Sequence, residues 1–247
     1  MMNVVIAPSY EALSSAVADE IVKHLQDIQS PLFCATSGDT PTGVYRELVQ
    51  RQQKGFINTK QWDFVGLDEW SGMNGQNEGS CRNYLDRELF GPLQTSDDHI
   101  CFFDGKAGDQ QGECKRIDQF INAHGGIDVM LLGLGLNGHV GMNEPGVDPA
   151  LFSHVAELDI LTAQVGQKYF SSETKLTHGL TLGIASMMQA RHVILMVNGE
   201  KKSSIVQKVI EGEITADVPA SLLRNHPRFS IFLDGAAASK LKRASGV

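Results

Sequence analysis

The sequence has few cysteines and no long apolar segment. Four cysteines occur among 247 residues, and no two of them form a C-x-x-C pair, which argues against a zinc site and against a disulfide framework. No window reaches about 18 uninterrupted apolar residues, and the amino terminus lacks the basic and apolar regions of a signal peptide. We therefore expect a cytoplasmic protein with free thiols and no membrane association.

Positive charge is also scarce. Lys and Arg number 21 against 29 Asp and Glu, which gives a net charge of −8 at pH 7, and nucleic acid would meet net repulsion. A small anionic ligand would need local positive groups. The content of 42% hydrophobic and 20% charged residues is ordinary for a globular protein, and the length lies at the upper end for one domain.

Apolar runs and helical patterns alternate along the chain. The predicted strands are 3–7, 32–35, 62–67, 100–103, 127–132, 191–197 and 229–233. The predicted helices are one that follows a cap at Ser9, then 44–49, 81–89, 111–122, 174–188 and 203–211, with a short last helix from Ala236. Such alternation predicts a single α/β domain over residues 1–247, with a mostly parallel, Rossmann-like sheet flanked by helices. Ligands of such sheets bind at the carboxyl ends of the strands.

The segment 131–145, LLGLGLNGHVGMNEP, is the most distinctive of these strand ends. Four glycines surround His139, and Glu144 follows in the same loop. Glycine at this density is typical of a backbone that needs positive φ or a close approach. A histidine and a carboxylate in such a loop suit acid–base chemistry, although a structural histidine beside a turn fits the pattern equally well. The glycines are not a convincing dinucleotide-binding fingerprint, because no helix clearly follows them.

Two further strand ends carry polar side chains. Strand 32–35 runs into TSGDTPTG (36–43), a turn before a helix that is typical of an anion cradle but lacks the lysine of a P-loop. An ordinary turn with a helix cap is the alternative. Strand 62–67 ends at Asp68 and Glu69. Because successive side chains of a strand point to opposite faces, at most one of these carboxylates should face a site.

Together these stretches resemble the glucosamine-6-phosphate deaminase/isomerase family, which shares its fold with 6-phosphogluconolactonases. The matching segments, in the family's order, are SGDTPTGVY (37–45), LDEW (67–70), GLGLNGHVGMNEPG (133–146), LTHGLTLGI (176–184), the Lys202 region and VPASLL (218–223). Lactonases typically continue the GxGxxGH core with a TASLFP-like run, whereas the continuation here is VGMNEP. The resemblance therefore favours the isomerase branch.

The resemblance implies a reaction on a phosphorylated amino sugar that needs no metal and no organic cofactor. His139 would open the pyranose ring by moving a proton between O1 and O5, since the unperturbed pKa of histidine lies near neutrality. Glu144 would orient or charge-balance that imidazole. Asp68 would act as general base, carrying the proton between C2 and C1 and turning the aldose into a ketose before ammonia leaves. Asn137 stands where many members have aspartate; it carries no charge but can still hydrogen-bond His139.

The resemblance also implies a binding site for the phosphate group of the sugar. The residues it assigns to phosphate binding are Ser37, Gly38, Thr40, Lys168 and Lys202. For the two lysines, a solvated surface position is the alternative interpretation. Asp39 occupies a position where the family usually has a small or neutral residue, and we expect its side chain to turn outward as a cap or turn residue.

The motifs leave several alternatives open. The substrate is glucosamine-6-phosphate in the first place and galactosamine-6-phosphate in the second, because the stereochemistry at C4 cannot be derived from these segments. The alternatives to a deaminase are a 6-phosphogluconolactonase-type hydrolase and a non-catalytic sugar-phosphate sensor. A sensor of this fold would normally carry a DNA-binding segment, and the sequence contains no basic recognition helix. The oligomeric state is left open, a homo-oligomer included.

Overall fold

The computed structural model describes residues 2–242, which contain ten strands. These are β1 (Asn3–Ala7), β2 (Leu32–Ala35), β3 (Asp63–Gly66), β4 (Asp68–Trp70), β5 (Ile100–Cys101), β6 (Val129–Leu132), β7 (His154–Glu157), β8 (His178–Thr181), β9 (Val193–Val197) and β10 (Phe229–Asp234). Seven of them form a parallel sheet in the order β1-β10-β9-β6-β2-β3-β5. Because these seven strands are parallel, their carboxyl ends lie at one edge of the sheet.

The other three strands form a small antiparallel sheet in the order β4-β8-β7. Leu67, which lies between β3 and β4, is held to both sheets. Its N–H donates to the carbonyl oxygen of Ala35 at 3.1 Å, and its own carbonyl oxygen accepts the N–H of Leu182 at 2.9 Å. The chain therefore leaves the main sheet at its carboxyl edge, and β4 begins there.

Nine α-helices lie within residues 2–242. They are α1 (Tyr10–Leu25), α2 (Thr42–Gln53), α3 (Cys81–Leu85), α4 (Gly91–Leu93), α5 (Gln110–Ala123), α6 (Ile160–Gly166), α7 (Ile184–Gln189), α8 (Ser203–Glu211) and α9 (Pro219–Leu222). The predicted cap of α1 is confirmed, since the Ser9 hydroxyl accepts the N–H of Ala12 at 3.2 Å. None of the helices described between residues 2 and 242 has the length and apolar content needed to cross a bilayer.

The side chains of the central strands point alternately into two hydrophobic cores. In β2, Leu32 and Cys34 belong to the core that includes α5, α7 and α8, whereas Phe33 and Ala35 belong to the core that includes α1, α2 and α3. A strand buried on both faces needs a continuous apolar run, and LFCA is such a run. Helices thus cover both faces of the sheet, which confirms the predicted α/β fold. The extent of the domain over all of residues 1–247 stays a prediction.

The predicted helix 174–188 is wrong. Its middle forms β8, and only its last part is helical, as α7. Apolar side chains at helical spacing suggested the helix, but antiparallel pairing with β4 and β7 holds this segment as a strand. The glycines explain the close packing: a Cβ at Gly179 would lie 2.0 Å from Met142 Sδ, and a Cβ at Gly183 would lie 2.1 Å from the carbonyl oxygen of Leu151.

Two other predicted helices differ in part. The predicted helix 81–89 is α-helical over α3 and then continues as a π-helical turn, Asp86–Phe90. Gly91 follows directly and begins α4, in which Pro92 has no N–H to donate to the carbonyl oxygen four residues earlier. The predicted short helix from Ala236 is a run of turns over the described residues, anchored by the Asp234 carboxylate, which accepts the N–H of Ala237 at 2.7 Å. Residues 243–247 lie outside the described residues.

Candidate active site

The predicted site residues follow four strands at the carboxyl edge of the main sheet. The turn 36–41 follows β2, β4 follows β3, the glycine loop 133–146 follows β6, and Lys202 follows β9. The strands β3, β2, β6 and β9 are successive neighbours in the sheet, so these segments lie side by side. Lys168 comes from the turn after α6.

Asp68 is the first residue of β4 and is only 7% exposed. Burial raises the pKa of its carboxyl to about 7; a hydrogen bond from the Cys81 thiol acts in the opposite direction, and the nearby charge of Glu69 raises the pKa further. Burial has this effect because it penalises the ionised form. A carboxyl that exchanges its proton near neutral pH has the property that a general base needs.

Glu69 is fully buried, and its carboxylate stabilises the start of α3. Its carboxylate accepts the backbone N–H groups of Cys81 and Arg82 at 2.9 and 3.0 Å and the hydroxyl of Ser80 at 2.9 Å. Cys81 and Arg82 begin α3, so Glu69 satisfies N–H groups that the start of a helix leaves without partners. This supports the expectation that at most one of the two adjacent carboxylates faces the site. Because Glu69 is engaged with α3, Asp68 is the candidate.

His139 lies in the glycine loop with an ionised carboxylate beside it. Its Nδ1 is 3.4 Å from Glu144 Oε2 and 3.1 Å from Thr162 Oγ1. A Cβ on Gly135 would lie 2.3 Å from the imidazole, so this glycine makes room for the ring. Burial raises the pKa of Glu144, but the hydrogen bond and charge of His139, with smaller contributions from Thr162 and Asn137, outweigh it and keep that pKa below its usual value.

Asn137 supports Glu144 and the backbone of the loop. Its Nδ2 donates to Glu144 Oε2 at 2.8 Å, and its Oδ1 accepts the backbone N–H of His139 at 3.2 Å. The expected hydrogen bond to His139 is therefore made with the main chain, and the carboxylate next to the imidazole belongs to Glu144. The second oxygen, Glu144 Oε1, is buried without a hydrogen-bond partner among residues 2–242.

Thr162 is the residue of this cluster that the sequence analysis missed. It lies in α6, where the carboxylate of Asp159 caps the helix by accepting the N–H of Leu161 at 2.7 Å. Aspartate directly before an apolar run is a usable cap signal. The helix has only 7 residues, however, which is too short for a helical period to stand out, and the preceding strand β7 was not predicted either.

The turn after β2 offers free backbone donors. Gly38 has a φ of 110°, a conformation that favours glycine. The N–H groups of residues 37–40 form no hydrogen bond with any other residue of the described part of the chain, while the Gly38 carbonyl oxygen accepts the Tyr84 hydroxyl at 2.7 Å. Successive unpaired N–H groups just before helix α2 are suited to binding an anion such as phosphate.

Lys202 lies close to the start of the glycine loop. Its ammonium donates to the carbonyl oxygen of Leu134. Burial and the nearby charge of Lys168 together lower the pKa of Lys202 to about 8. Because the charge of Lys168 acts on Lys202, an anion between the two lysines would stabilise both charges.

Lys168 forms an ion pair with Asp39. Its Nζ lies 2.6 Å from Asp39 Oδ2. The side chain of Asp39 is exposed and the residue lies in a turn, as expected. It is a turn residue and not the cap of α2, since the cap position of that helix is Pro41. The Thr40 hydroxyl is also engaged, since it donates to Asn198 Oδ1 at 2.9 Å.

A pocket of about 220 Å³ lies beside this turn. Its lining includes Ser37, Asp39, Cys81 and Lys168. Burial raises the pKa of the Cys81 thiol and the nearby charge of Asp68 raises it further, so the buried carboxyl lies close to this part of the pocket wall. His139 and Lys202 are not part of the lining.

Thr181 links the pocket side of the site to the glycine loop. It is the partner of Asp68 in the pairing of β4 with β8. Its hydroxyl accepts the N–H of Met142 at 3.1 Å, and a Cβ on Gly141 would lie 2.7 Å from that hydroxyl. Asp68 and the loop that carries His139 are therefore joined through one buried threonine.

A possible metal-ligand cluster lies at the other end of the sheet. In the part of the chain that the structure describes, Glu20, His24 and His192 are the one such group, and His192 directly precedes β9. A metal-bound imidazole usually donates its second N–H to an acceptor, but His192 Nδ1 is buried without a partner among residues 2–242. The positive charge of Arg228 also acts on His192. We assign no metal and no reaction step to this cluster.

Comparison with known proteins points to the family that the motifs resemble. A family profile described as glucosamine-6-phosphate isomerases/6-phosphogluconolactonase matches residues 8–231. The glucosamine-6-phosphate deaminase of Bacillus pumilus (strain SAFR-032) is 35% identical over 96% of this chain and 99% of its own. That of Geobacillus sp. (strain WCH70) is 34% identical over 96% of this chain and 95% of its own.

Solved structures agree with these sequence matches. A structure described as a monomeric glucosamine-6-phosphate deaminase has a TM-score of 0.93 and 31% identity, covering 96% of this chain and 99% of that chain. The 6-phosphogluconolactonase from Trypanosoma brucei has a TM-score of 0.77 at 20% identity, covering 98% of this chain and 99% of that chain, and shares the fold. With a profile match over most of its length and relatives above 30% identity over nearly all of it, the chain belongs to the glucosamine-6-phosphate isomerase/6-phosphogluconolactonase family.

Proposed function

We propose that the protein is an enzyme that converts glucosamine-6-phosphate to the ketohexose-6-phosphate and ammonia. The observation that carries this proposal is the buried carboxyl of Asp68, whose pKa of about 7 lets it take up and return a proton close to the wall of the pocket. The relatives from Bacillus pumilus and Geobacillus are named glucosamine-6-phosphate deaminase, which supports the same reaction.

His139 is proposed to open the pyranose ring. In this step O1 loses its proton, O5 gains one, and the C1–O5 bond breaks to give the open-chain aldehyde. The ionised Glu144 at 3.4 Å from Nδ1 favours a proton on that nitrogen, which leaves Nε2 to exchange the proton with the sugar. Thr162 and Asn137 keep the ring and the carboxylate in this arrangement through their hydrogen bonds.

Asp68 is proposed to move the second proton. It takes the proton from C2 of the open chain and returns it to C1. O1 gains a proton and the amino nitrogen loses one, so that C1 becomes an alcohol while C2 becomes an imine. Water then adds to C2, and ammonia leaves to give the ketose. Both electrons stay within the sugar, so the step requires no external oxidant. A base with a pKa near the working pH can both accept this proton and give it back.

The phosphate group is proposed to bind between the free N–H groups of residues 37–40 and the two lysines. These N–H groups precede α2, whose positive dipole end also attracts an anion. Lys168 and Lys202 supply the local positive charge that a protein with a net charge of −8 needs for an anionic substrate. Ser37, Gly38 and Thr40 are the residues of the turn to which we assign this role.

An assay of ammonia release tests the proposed function. Glucosamine-6-phosphate and galactosamine-6-phosphate are compared as substrates, and hydrolysis of 6-phosphogluconolactone is measured in parallel. We expect ammonia from glucosamine-6-phosphate and no lactone hydrolysis. Faster release from galactosamine-6-phosphate would reassign the substrate within the same mechanism. Lactone hydrolysis without ammonia release would contradict the proposal in favour of the hydrolase alternative.

We propose the cytoplasm as the site of action. All four cysteines are buried and unpaired, a state that a reducing compartment preserves. Size-exclusion chromatography with light scattering on the purified chain measures its oligomeric state.

A further inference from the structure

An ion pair joins two distant segments that line the pocket. Lys168 Nζ lies 2.6 Å from Asp39 Oδ2, although the two residues are 129 positions apart in the sequence. The same Nζ lies 4.8 Å from the centre of the Tyr169 ring. Asp39 belongs to the turn with the free N–H groups. A carboxylate of the protein therefore holds the lysine at the place where the phosphate group is proposed to bind.

A phosphate group in this turn would need the ammonium that Asp39 holds. If both anions stayed on Lys168, two negative charges would lie within a few ångströms of each other and repel. Phosphate binding must therefore weaken the contact between Asp39 and Lys168.

We infer that Asp39 is a positioning residue of the phosphate-binding site: it holds Lys168 at the pocket and lowers the affinity for phosphate, because the incoming phosphate has to displace the Asp39 carboxylate from the lysine. The inference rests on the proposed phosphate-binding role of Lys168, which is part of the proposed function, and it does not depend on the chemistry at C1 and C2. The ligand class is a phosphate monoester or free inorganic phosphate.

The test compares the binding of inorganic phosphate to the wild type and to Asp39→Asn by isothermal titration calorimetry. Asp39 is 70% exposed at its side chain, so the substitution should not affect folding. An exposed ion pair is worth at most about 1 kcal/mol, so we expect the variant to bind phosphate about twofold to fivefold more tightly. The KM for glucosamine-6-phosphate should fall by a similar factor, and by more than kcat changes.

Glu78→Gln is the matched control. Glu78 is an exposed carboxylate that also lines the pocket, and it accepts a hydrogen bond from the Ser171 hydroxyl at 3.2 Å. Its removal changes the net charge by the same amount but does not free Lys168. We expect a smaller gain in phosphate affinity than in Asp39→Asn. An equal gain would mean that only the general charge of the pocket matters, and would overturn the inference.

A double variant tests whether Asp39 acts through Lys168. In a Lys168→Gln background, Asp39→Asn should no longer increase phosphate affinity. A gain that persists in this background overturns the inference, as does unchanged or weaker phosphate binding in Asp39→Asn alone. If the phosphate results hold while the wild type releases no ammonia from either amino sugar, the role of Asp39 stands and the proposed reaction fails.

Discussion

Asp68 is the residue on which the proposed chemistry depends most directly. We expect Asp68→Asn to abolish turnover while the sugar phosphate still binds, because an amide has nearly the size of the carboxyl but cannot accept the proton. In the wild type, kcat/KM should fall as the pH drops through about 7, since the pKa of Asp68 in the free protein is about 7 and only its ionised form acts as a base. Measuring kcat, Kd and the pH dependence of kcat/KM checks this. A variant that keeps a tenth or more of the wild-type kcat would assign Asp68 a structural role.

Lys202 provides a test of substrate binding. Lys202→Ala should raise KM far more than it lowers kcat, because a phosphate contact made in the ground state persists in the transition state. A charge-assisted contact is worth about 1.5–3 kcal/mol, or roughly tenfold to a hundredfold in KM. In the wild type, KM should rise as the pH passes about 8, where Lys202 loses its proton.

The neighbouring lysine serves as the control for this test. Lys201 is exposed, and Lys201→Ala removes the same charge without touching the Leu134 carbonyl that Lys202 contacts. We expect a KM close to that of the wild type. An unchanged KM in Lys202→Ala would exclude Lys202 from the phosphate-binding site.

A residue could be proposed for the site from the sequence where the neighbouring residues form a recognisable motif. Asp68 follows an apolar strand, and His139 lies among glycines, so the sequence alone suggests both as candidate site residues. Thr162 contacts His139 from 23 residues away, and Asp39 pairs with Lys168 from 129 residues away. Contacts of this kind depend on tertiary packing and leave no local pattern, so they could not be predicted from the sequence.

At the scale of elements, the strands of the parallel sheet were the most predictable. They are buried on both faces, so each forms a short continuous apolar run that is easy to recognise. The segment 174–188 shows the opposite case. Its apolar spacing fits a helix, and only its place between β4 and β7 makes its middle a strand. Pairing partners lie far away in the sequence, so periodicity alone could not identify β8.

Gly183 provides a test of the observed structure of segment 174–188 against the predicted helix. A Cβ there would lie 2.1 Å from the carbonyl oxygen of Leu151, so Gly183→Ala should destabilise the protein by about 1–3 kcal/mol. In the interior of a helix the same change would stabilise it by up to about 1 kcal/mol, so the sign separates the two structures. Urea unfolding measures the difference. Gly108→Ala is the control, since no atom lies within 4 Å of its Cβ position, and it should be nearly neutral.

At the scale of the whole molecule, the buried carboxyl of Asp68 affects stability, apart from its proposed role in catalysis. Its pKa in the folded protein is about 7 against an ordinary value of 3.8, so folding favours the protonated form. The stability it contributes is fully present below about pH 4 and is lost as the pH rises through about 7. Above that pH the ionised group costs at most about 4 kcal/mol.

Asp68→Asn should therefore be more stable than the wild type at about pH 8, because the amide has no charge to bury. The difference should shrink as the pH falls and vanish below about pH 4. Urea unfolding at a series of pH values measures it. Equal stability of the two proteins at about pH 8 would show that Asp68 ionises in the folded protein at its ordinary value, and would also remove the pH argument for its catalytic role.

The buried cysteines can be used to measure how often parts of the folded protein open to solvent. Burial raises the pKa of the Cys34 and Cys81 thiols well above the usual value, so an alkylating reagent reacts with them only when they become exposed. Cys34 lies in β2 at the middle of the sheet, and its labelling rate follows global unfolding. Cys81 lies in the pocket wall, and its labelling also follows local opening. A bound sugar phosphate should therefore slow the alkylation of Cys81 more than that of Cys34, which separates motion at the active site from motion of the whole fold.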